Sequence, residues 1–208
     1  MVGTADLDLI RQHLKTLTPS DRIVEFGPWL GAVSELLARA GELHVVDSFS
    51  WTKDHAKRVP DLLEPGASFR PVFEANLAAK GLSAIIHEAD FADFRWTAGS
   101  IRLAFVDGPK STVALVTVLV SIWHALAADT VLIIKHARNP AYSDMSGFVA
   151  RLVAKGVLRT LAAAGDPSCN SAVLGIGPAF SGAEDLLALA GEVAAEASVA
   201  TEAAAEAM

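Results

Sequence analysis

Short apolar runs alternate with helix-length amphipathic segments along most of this chain, and this alternation constrains its fold more than any other feature. The aliphatic runs, each predicted to be a strand, are 22–26, 43–47, 83–88, 102–106, 130–135, 157–161 and 172–176. The segments with apolar residues at helical spacing are 4–17, 32–40, 69–80, 111–127 and 143–155. Strands connected through helices run parallel and are covered on both faces. We therefore predict an α/β, Rossmann-like, doubly wound fold around a mostly parallel seven-stranded sheet.

The last two predicted strands, 157–161 and 172–176, break this alternation. The stretch between them is rich in turn residues and too short for a crossover helix. Two strands joined in this way pair antiparallel. We therefore expect a final antiparallel hairpin strand, lying at the edge of the sheet.

Charge divides the chain into two unequal parts. The formal net charge is −7, yet residues 184–208 hold six acidic residues and no Lys or Arg, which leaves −1 for residues 1–183. We predict a domain over 1–183 and an Ala/Glu-rich acidic C-terminal tail over 184–208, with Leu186, Leu187, Leu189 and Val193 able to dock on the domain. Since general nucleic-acid binding relies on phosphate neutralisation, the near-neutral body predicts no nucleic-acid partner.

The apolar segments and the cysteine content indicate the cellular compartment of the protein. The most apolar stretch, 113–134, is interrupted by Trp123-His124 and by Ala128-Asp129-Thr130, so we predict no membrane span and no membrane partner. The single cysteine, Cys169, lies among turn residues and favours a reducing compartment. We expect a cytoplasmic protein, and the sequence leaves a homodimer open.

The segment I-V-E-F-G-P-W-L-G, residues 23–31, connects the first predicted strand to its helix. Glycines at such a turn allow a ligand to approach the backbone and the helix N-terminus. Asp47 ends the next strand, 20 residues after Gly27, where a carboxylate can accept both hydroxyls of a ribose. A dinucleotide fingerprint needs a second glycine where this chain has Trp29, so dinucleotide binding is disfavoured.

Five motifs fall in order at successive strand ends. They are V-E-F-G-P-W-L-G (24–31), V-V-D (45–47), E-A-D-F (88–91), F-V-D-G-P-K (105–110) and V-L-I-I-K (131–135). Together they resemble the class I S-adenosylmethionine-dependent methyltransferases over residues 1 to about 180. The region around Asp47–His55 and Asp107–Lys110 is similar to bacterial members that modify small molecules or glycans.

The resemblance implies that S-adenosylmethionine is the cofactor. It places Glu25 near the ammonium group or an adjacent water, and Asp47 on the ribose hydroxyls. It places Asp90 on the adenine amino group and Phe91 against the adenine ring. Two alternatives stay open, in which Asp90 caps a turn and Phe91 belongs to the core. The full set of residues assigned to the cofactor is Glu25, Gly27, Pro28, Trp29, Gly31, Asp47, Ser48, Asp90 and Phe91.

Methyl transfer to a hydroxyl needs an aligned acceptor and a group that takes the proton. Asp107, Lys110 and His136 are the predicted catalytic residues, with Lys135 and His55 as further candidates near the acceptor. His136 suits the role of base because histidine titrates near neutrality. Lys110 suits the orientation of an acceptor or of an anionic group on it. The alternatives are an ordinary hydrogen-bonding loop histidine and a solvated loop lysine.

The residues after the fifth predicted strand bear on metal binding. Related enzymes with a divalent metal place carboxylates where this chain has Lys135-His136, so we expect no metal.

The long connection over 48–67 is locally basic through Lys53, Lys57 and Arg58. It is either a lid that binds a phosphate or carboxylate of the acceptor, or a short solvated helix with Trp51 packed inward.

The functional hypothesis is O-methylation of a small-molecule or glycan hydroxyl. The alternative is a methyltransferase-like cofactor-binding or scaffold module without turnover, which the sparse set of candidate bases allows. The acceptor itself is not readable from the sequence, because acceptor specificity depends on loop geometry.

Overall fold

The computed structural model describes residues 2–162, 166, 168–180 and 182–192. The strands are β1 (Arg22–Phe26), β2 (Glu42–Asp47), β3 (Ile85–Glu88), β4 (Ile101–Val106), β5 (Leu126–Ile134), β6 (Leu158–Ala162) and β7 (Ala172–Ile176). The helices are α1 (Thr4–Leu14), α2 (Ala32–Ala38), α3 (Lys53–Arg58), α4 (Arg70–Ala78), α5 (Thr112–Ile122) and α6 (Ser143–Ala154). Residues 183–192 are also helical, and short 3₁₀ turns occupy Trp123–Ala125 and Pro140–Tyr142.

All seven strands form one sheet in the order β3-β2-β1-β4-β5-β7-β6. Strands β1 to β5 pair in parallel, and β7 pairs antiparallel with both β5 and β6. The doubly wound, mostly parallel sheet with a final antiparallel strand is therefore confirmed. The order reverses between β1 and β4, which is where open α/β sheets bind ligands.

One detail of the predicted hairpin is wrong, because the reversed strand β7 is not at the edge. It lies between β5 and β6, and β6 is the edge strand. Burial explains the placement: β7 is apolar and its middle residues are buried, whereas β6 exposes Arg159 and Thr160. Burial between two neighbouring strands stabilises an apolar strand more than it stabilises a strand with polar side chains.

Two apolar layers cover the faces of the sheet. Val24 and Phe26 of β1 point into the layer that α5 and α6 complete, for example through Leu119 and Phe148. Ile23 points into the opposite layer, which α1, α2 and α4 complete. This alternation along β1 follows from the two-residue period of a strand.

Most elements differ from the predicted bounds by one to three residues, and the junction of α5 with β5 differs by more. Helix α5 ends at Ile122, and β5 begins at Leu126, because Leu126 pairs with Ile101 across a β-bulge. The connection over 48–67 contains the short helix α3, which buries none of its own residues, while Trp51 before it is 1% exposed. The connection therefore contains the short helix and the inward tryptophan, and the binding of an acceptor anion by this connection stays a prediction.

The described C-terminal helix packs on the domain. Leu186 and Leu189 are buried in the same layer as α5 and α6, and Leu187 is 52% exposed. The division of the chain at residue 183 stays a prediction, and Val193 with the rest of the tail lies outside the described residues. Across the ranges that the structure covers, none of the helices has the length and apolar character needed to span a bilayer.

Candidate active site

The loops after β1 and β4 touch at the carboxyl edge of the sheet. Gly27 has φ +80°, and a Cβ there would lie 2.8 Å from the backbone nitrogen of Gly108. Gly31 has φ +93°, precedes the first turn of α2, and a Cβ there would meet the ring of Phe73 at 3.4 Å. The left-handed backbone at Gly27 and its contact with Gly108 leave no space for a larger residue. Pro28 between them is buried, and its carbonyl accepts the amide hydrogen of Gly31.

Glu25 lies at the base of this loop, near the end of β1. Its side chain is 1% exposed, and Oε2 has no hydrogen-bond partner among the described residues. Burial raises the pKa of Glu25 to about 8, and the carboxylates of Asp107 and Asp47 add to the effect. A buried carboxyl oxygen without a partner is costly unless a ligand supplies a donor. Glu25 is therefore a candidate acceptor for a cationic or N–H group of a ligand.

Asp47 ends β2 beside Glu25. Its Oδ1 accepts a hydrogen bond of 2.7 Å from the amide of Phe49, which holds the carboxylate at the strand end. Burial raises the pKa of Asp47 to about 6, opposed by the Phe49 amide and helped by the charge of Asp90. Ser48, the next residue, is exposed. A second carboxylate thus stands at the end of the neighbouring strand.

Asp90 and Phe91 follow β3. Asp90 is exposed, and its carbonyl accepts the amide hydrogens of Asp93 and Phe94, so its backbone closes a turn. The ring of Phe91 packs edge-on against Phe26 with centroids 5.6 Å apart. A Cβ on Gly108 would collide with the Phe91 ring at 2.4 Å, so the glycine is required for this contact. Phe91 is half-buried and forms a wall between the core and the carboxyl edge.

The three predicted catalytic residues do come together. Nε2 of His136 lies 3.4 Å from Oδ1 of Asp107, and Nζ of Lys110 lies 3.7 Å from the same oxygen. Lys110 also donates a hydrogen bond of 2.9 Å to the carbonyl of Asp107. Burial lowers the pKa of Lys110, and the charges of Lys135 and Arg58 act in the same direction against the pull of Asp107. The ends of β4 and β5 therefore carry a carboxylate with two bases beside it.

His136 has an unusual backbone and an aromatic neighbour. Its φ is +66°, and its Nδ1 is buried without a partner in the described part of the chain. The Tyr142 ring lies 4.9 Å from the imidazole, and Nζ of Lys110 lies 5.9 Å from the Tyr142 ring. A non-glycine residue in the left-handed region is a strained conformation that surrounding contacts must hold.

Lys135 does not belong to this group, which corrects its placement among the acceptor-facing candidates. Its side chain is 2% exposed and its Nζ lies 3.3 Å from Oδ2 of Asp6 on α1. Oδ1 of Asp6 also accepts from the hydroxyl and the amide of Ser171. Sequence reasoning missed Asp6, although an acidic residue on the buried face of α1, beside Leu9 and Ile10, needs a partner.

Trp29 forms an aromatic cluster with the 48–67 connection. Its φ is +48°, and its ring lies 6.2 Å from Trp51 and 5.0 Å from His55. The Arg58 guanidinium lies 5.3 Å from the Trp29 ring centroid. Burial lowers the pKa of His55, with Arg58 acting in the same direction. The connection is therefore one wall of the site, anchored on the loop after β1.

The chemical character of the site differs along the edge of the sheet. Strands β1, β2 and β3 end in carboxyl groups, and the loops after β4 and β5 add Lys110 and His136 around Asp107. In the described ranges, no three His, Cys, Asp or Glu side chains are arranged to hold a metal ion. The geometry suits a polar organic cofactor beside β1 and β2 and an acceptor beside β4 and β5.

Comparison with known proteins identifies the fold. No protein-family model matches this sequence, and no curated protein is similar to it. An rRNA methylase from Streptococcus thermophilus is similar over 85% of this chain and 98% of its own, with 11% identity and a TM-score of 0.56. The O-methyltransferase NovP is similar over 84% and 81%, with 18% identity and a TM-score of 0.61. CalS11, a TDP-rhamnose 3'-O-methyltransferase of calicheamicin biosynthesis, is similar over 84% and 81%, with 17% identity and a TM-score of 0.52.

At 11% to 18% identity, these likenesses establish the fold, which is the Rossmann-like fold of methyltransferases. They extend over most of this chain and over at least 81% of each of the three relatives. The acceptors differ among the relatives, so the fold does not by itself define an acceptor.

Proposed function

We propose that the protein is an S-adenosylmethionine-dependent methyltransferase that methylates a hydroxyl of a small molecule or glycan. The observation that carries the proposal is the convergence of Glu25, Gly27 and Asp47 at the point where the strand order reverses. A glycine turn with one buried and one half-buried carboxyl group beside it suits a cofactor that has an ammonium group, a ribose and no phosphate.

The residues present fit this cofactor. The unpartnered Oε2 of Glu25 would accept from the ammonium group, and the carboxylate of Asp47 would accept from the ribose hydroxyls. Gly27 and Gly31, with Pro28 and Trp29 between them, would form the floor under the methionine part. Ser48 would contact the ribose.

The adenine ring would lie at the end of β3. The exposed carboxylate of Asp90 is free to accept from the amino group, and the half-buried ring of Phe91 offers an apolar surface. When bound, S-adenosylmethionine supplies an electrophilic methyl group on a sulfonium. Residues of the chain would remove the acceptor proton and orient the acceptor.

Asp107 and His136 would remove the acceptor proton. Nε2 of His136 would accept the proton that the hydroxyl loses when the methyl group moves from the sulfonium to its oxygen and S-adenosylhomocysteine is left, and Oδ1 of Asp107, 3.4 Å from Nε2, would stabilise the imidazolium. For Nε2 to accept this proton, the neutral ring would carry its own proton on Nδ1, which is buried without a partner among the described residues. Such proton transfer contributes about 10²–10⁴-fold, and alignment of the reactants contributes the rest. Lys110 would orient the acceptor.

The acceptor class rests on charge and on the relatives. Residues 1–183 have a net charge of −1, which does not favour a polyanionic RNA. NovP and CalS11 are O-methyltransferases by name, whereas the Streptococcus protein is named an rRNA methylase. The near-neutral body supports the small-molecule or glycan acceptor over RNA.

Calorimetry with S-adenosylhomocysteine and with NAD tests the cofactor. We expect S-adenosylhomocysteine to bind. We expect NAD not to bind, because Trp29 occupies the position of the second glycine of a dinucleotide-binding loop. Binding of NAD alone would end the proposal. Turnover of methyl-labelled cofactor with a panel of hydroxyl acceptors and a structured RNA then tests the activity. Cofactor binding without turnover on any acceptor would support the alternative of a scaffold module.

A further inference from the structure

The walls on either side of the loop after β1 each present a cation. Arg58, at the end of α3, lies over the ring of Trp29. Lys110, in the loop after β4, lies two residues beyond Gly108, which touches Gly27. Because Trp29 and Gly27 belong to the same loop, the two cations lie on either side of that loop at the carboxyl edge of the sheet.

Arg58 has no ion-pair partner among the described carboxylates, and Lys110 has one long ion pair that it shares with His136. Asp54, the acidic residue of the same helix, lies 2.8 Å from Nζ of Lys57, and no described carboxylate forms an ion pair with Arg58. The carboxylate nearest Lys110 is Asp107, at 3.7 Å, and it is shared with His136. The charge of Arg58 and part of the charge of Lys110 are therefore available to an anion, next to aromatic surfaces.

The charge of Arg58 interacts electrostatically with the charge of Lys110. It lowers the pKa of Lys110, in addition to the larger effect of burial. Two like charges that disfavour each other are stabilised by an anion between them, and arginine and lysine both donate strong hydrogen bonds to carboxylates and phosphates. The half-buried rings of Trp29 and Tyr142 lie beside the two cations and offer flat apolar surface to the rest of such a ligand.

We propose that the methyl acceptor carries a carboxylate or phosphate group, which binds between Arg58 and Lys110 beside Trp29. This rests on the proposed function and specifies its acceptor. The carboxyl groups of β1 and β2 hold the cofactor, which is cationic at its ammonium group and sulfonium, and the cations of α3 and the loop after β4 hold the anionic acceptor. The site thus keeps its two ligands apart by charge.

Aromatic anions of low mass are suitable probes. We would titrate the full chain, saturated with S-adenosylhomocysteine, with phenyl phosphate, with benzoate and with neutral benzamide, by calorimetry at low ionic strength, where exposed charges are least screened. We expect at least one anion to bind and benzamide to bind about tenfold more weakly or not at all. Phenyl phosphate against benzoate tells which anionic group the site prefers.

Two double variants locate the anion site. Arg58→Gln with Lys110→Met should weaken anion binding by about tenfold or more, because both charge-assisted contacts are lost. Lys53→Gln with Lys57→Gln removes the same charge from the exposed side of the same helix, and anion affinity should stay within about twofold of the wild type.

The outcomes separate this inference from the proposed function. Equal binding of benzamide and benzoate, or equal weakening in both double variants, would overturn the anionic acceptor. Affinity for S-adenosylhomocysteine, measured first in each protein, reports on the cofactor site. Loss of that binding in the wild type would contradict the proposed function, whereas retained cofactor binding without anion binding would contradict the inference alone.

Discussion

Nε2 of His136 lies 3.4 Å from Oδ1 of Asp107, so the ends of the neighbouring strands β4 and β5 place an imidazole against a carboxylate. The two residues are 29 positions apart in the sequence. The pairing exists because Val106 and Ile134 are aligned in the parallel register of these strands, which brings the residues after them together. A carboxylate in this position can hold the imidazole in one orientation.

Replacing either member of this pair should affect turnover more than cofactor binding. We expect His136→Gln and Asp107→Asn each to lower kcat by about 10²–10⁴-fold on a hydroxyl acceptor, because proton removal loses its base or the stabilisation of that base. Initial rates with labelled cofactor measure the change. Affinity for S-adenosylhomocysteine serves as the control, and an equal loss of that affinity would show that the substitution disturbs the cofactor site instead.

Asp47→Asn should weaken the binding of S-adenosylhomocysteine by about tenfold or more, because an amide replaces a charged acceptor of the ribose hydroxyls. The wild-type affinity should also decrease as the pH is lowered through about 6, where Asp47 gains a proton. The variant should lack this dependence. Asp93→Asn, a change at an exposed carboxylate beyond β3, is the matched control. An unchanged affinity in Asp47→Asn would remove the ribose assignment.

Glu25 should make the unliganded protein less stable at higher pH. Its pKa in the folded state is about 8 against an ordinary value of 4.5, so the folded state holds the proton more tightly than the unfolded chain does. The free energy of unfolding therefore decreases as the pH rises from about 4.5 to about 8, by up to about 1.4 kcal/mol for each unit between the two pKa values. Urea denaturation at pH 5.5 and 8 should show a smaller decrease in Glu25→Gln.

The comparison with Glu25→Gln isolates this carboxyl group from the other groups that titrate over the same range. Equal pH dependence in the two proteins would contradict the assignment of a protonated Glu25. Addition of S-adenosylhomocysteine should reduce the wild-type pH effect, because the ammonium group favours the ionised carboxylate.

Asp6→Ala should destabilise the fold without a direct effect on the chemistry. Burial disfavours the charge of Asp6, yet the hydroxyl of Ser171 and the charge of Lys135 outweigh it and lower the pKa of Asp6. Removal of one member of a buried ion pair costs about 3–5 kcal/mol. The double variant Asp6→Ala with Lys135→Met should recover part of this loss in urea denaturation, because the unpaired charge is also removed. A double variant less stable than the single one would contradict the pairing.

Leu186→Ala should lower the free energy of unfolding by about 2–5 kcal/mol, because the side chain is 1% exposed and its removal leaves a cavity. Leu187→Ala is the matched control, since that side chain is 52% exposed and should change stability by less than about 0.5 kcal/mol. Equal effects in thermal denaturation would show that the helix over 183–192 does not pack on the domain as described.

Much of the fold could be predicted from periodicity, because strands and helices leave local patterns. β1 and β7 have the predicted bounds, and helix α6 differs by one residue. The start of β5 could not be predicted, because Leu126 joins the strand through its pairing with Ile101 across a bulge. The position of β7 between β5 and β6 could not be predicted either, because a hairpin pattern does not say which of its two strands pairs with the rest of the sheet.

The contrast between Lys135 and His136 shows where local inference ends. Both follow β5, and the sequence offered both as acceptor-facing groups. Successive residues point to opposite sides, so Lys135 reaches Asp6 on α1 while His136 reaches Asp107. Lys135 has an ion-pair partner because α1 packs on the side of the sheet that Lys135 faces. The spacing of residues in the sequence does not predict where α1 packs.

The sequence by itself determined the alternation of strands and helices, the glycine loop after β1 and the carboxyl groups at successive strand ends. These are short-range properties, fixed by residue type and spacing. Only the tertiary structure decided that Glu25 is buried without a partner, that Arg58 covers Trp29, and that Asp107 is shared by Lys110 and His136. Burial and charge at a site depend on residues far apart in the chain, and those meet only when the sheet and its loops are assembled.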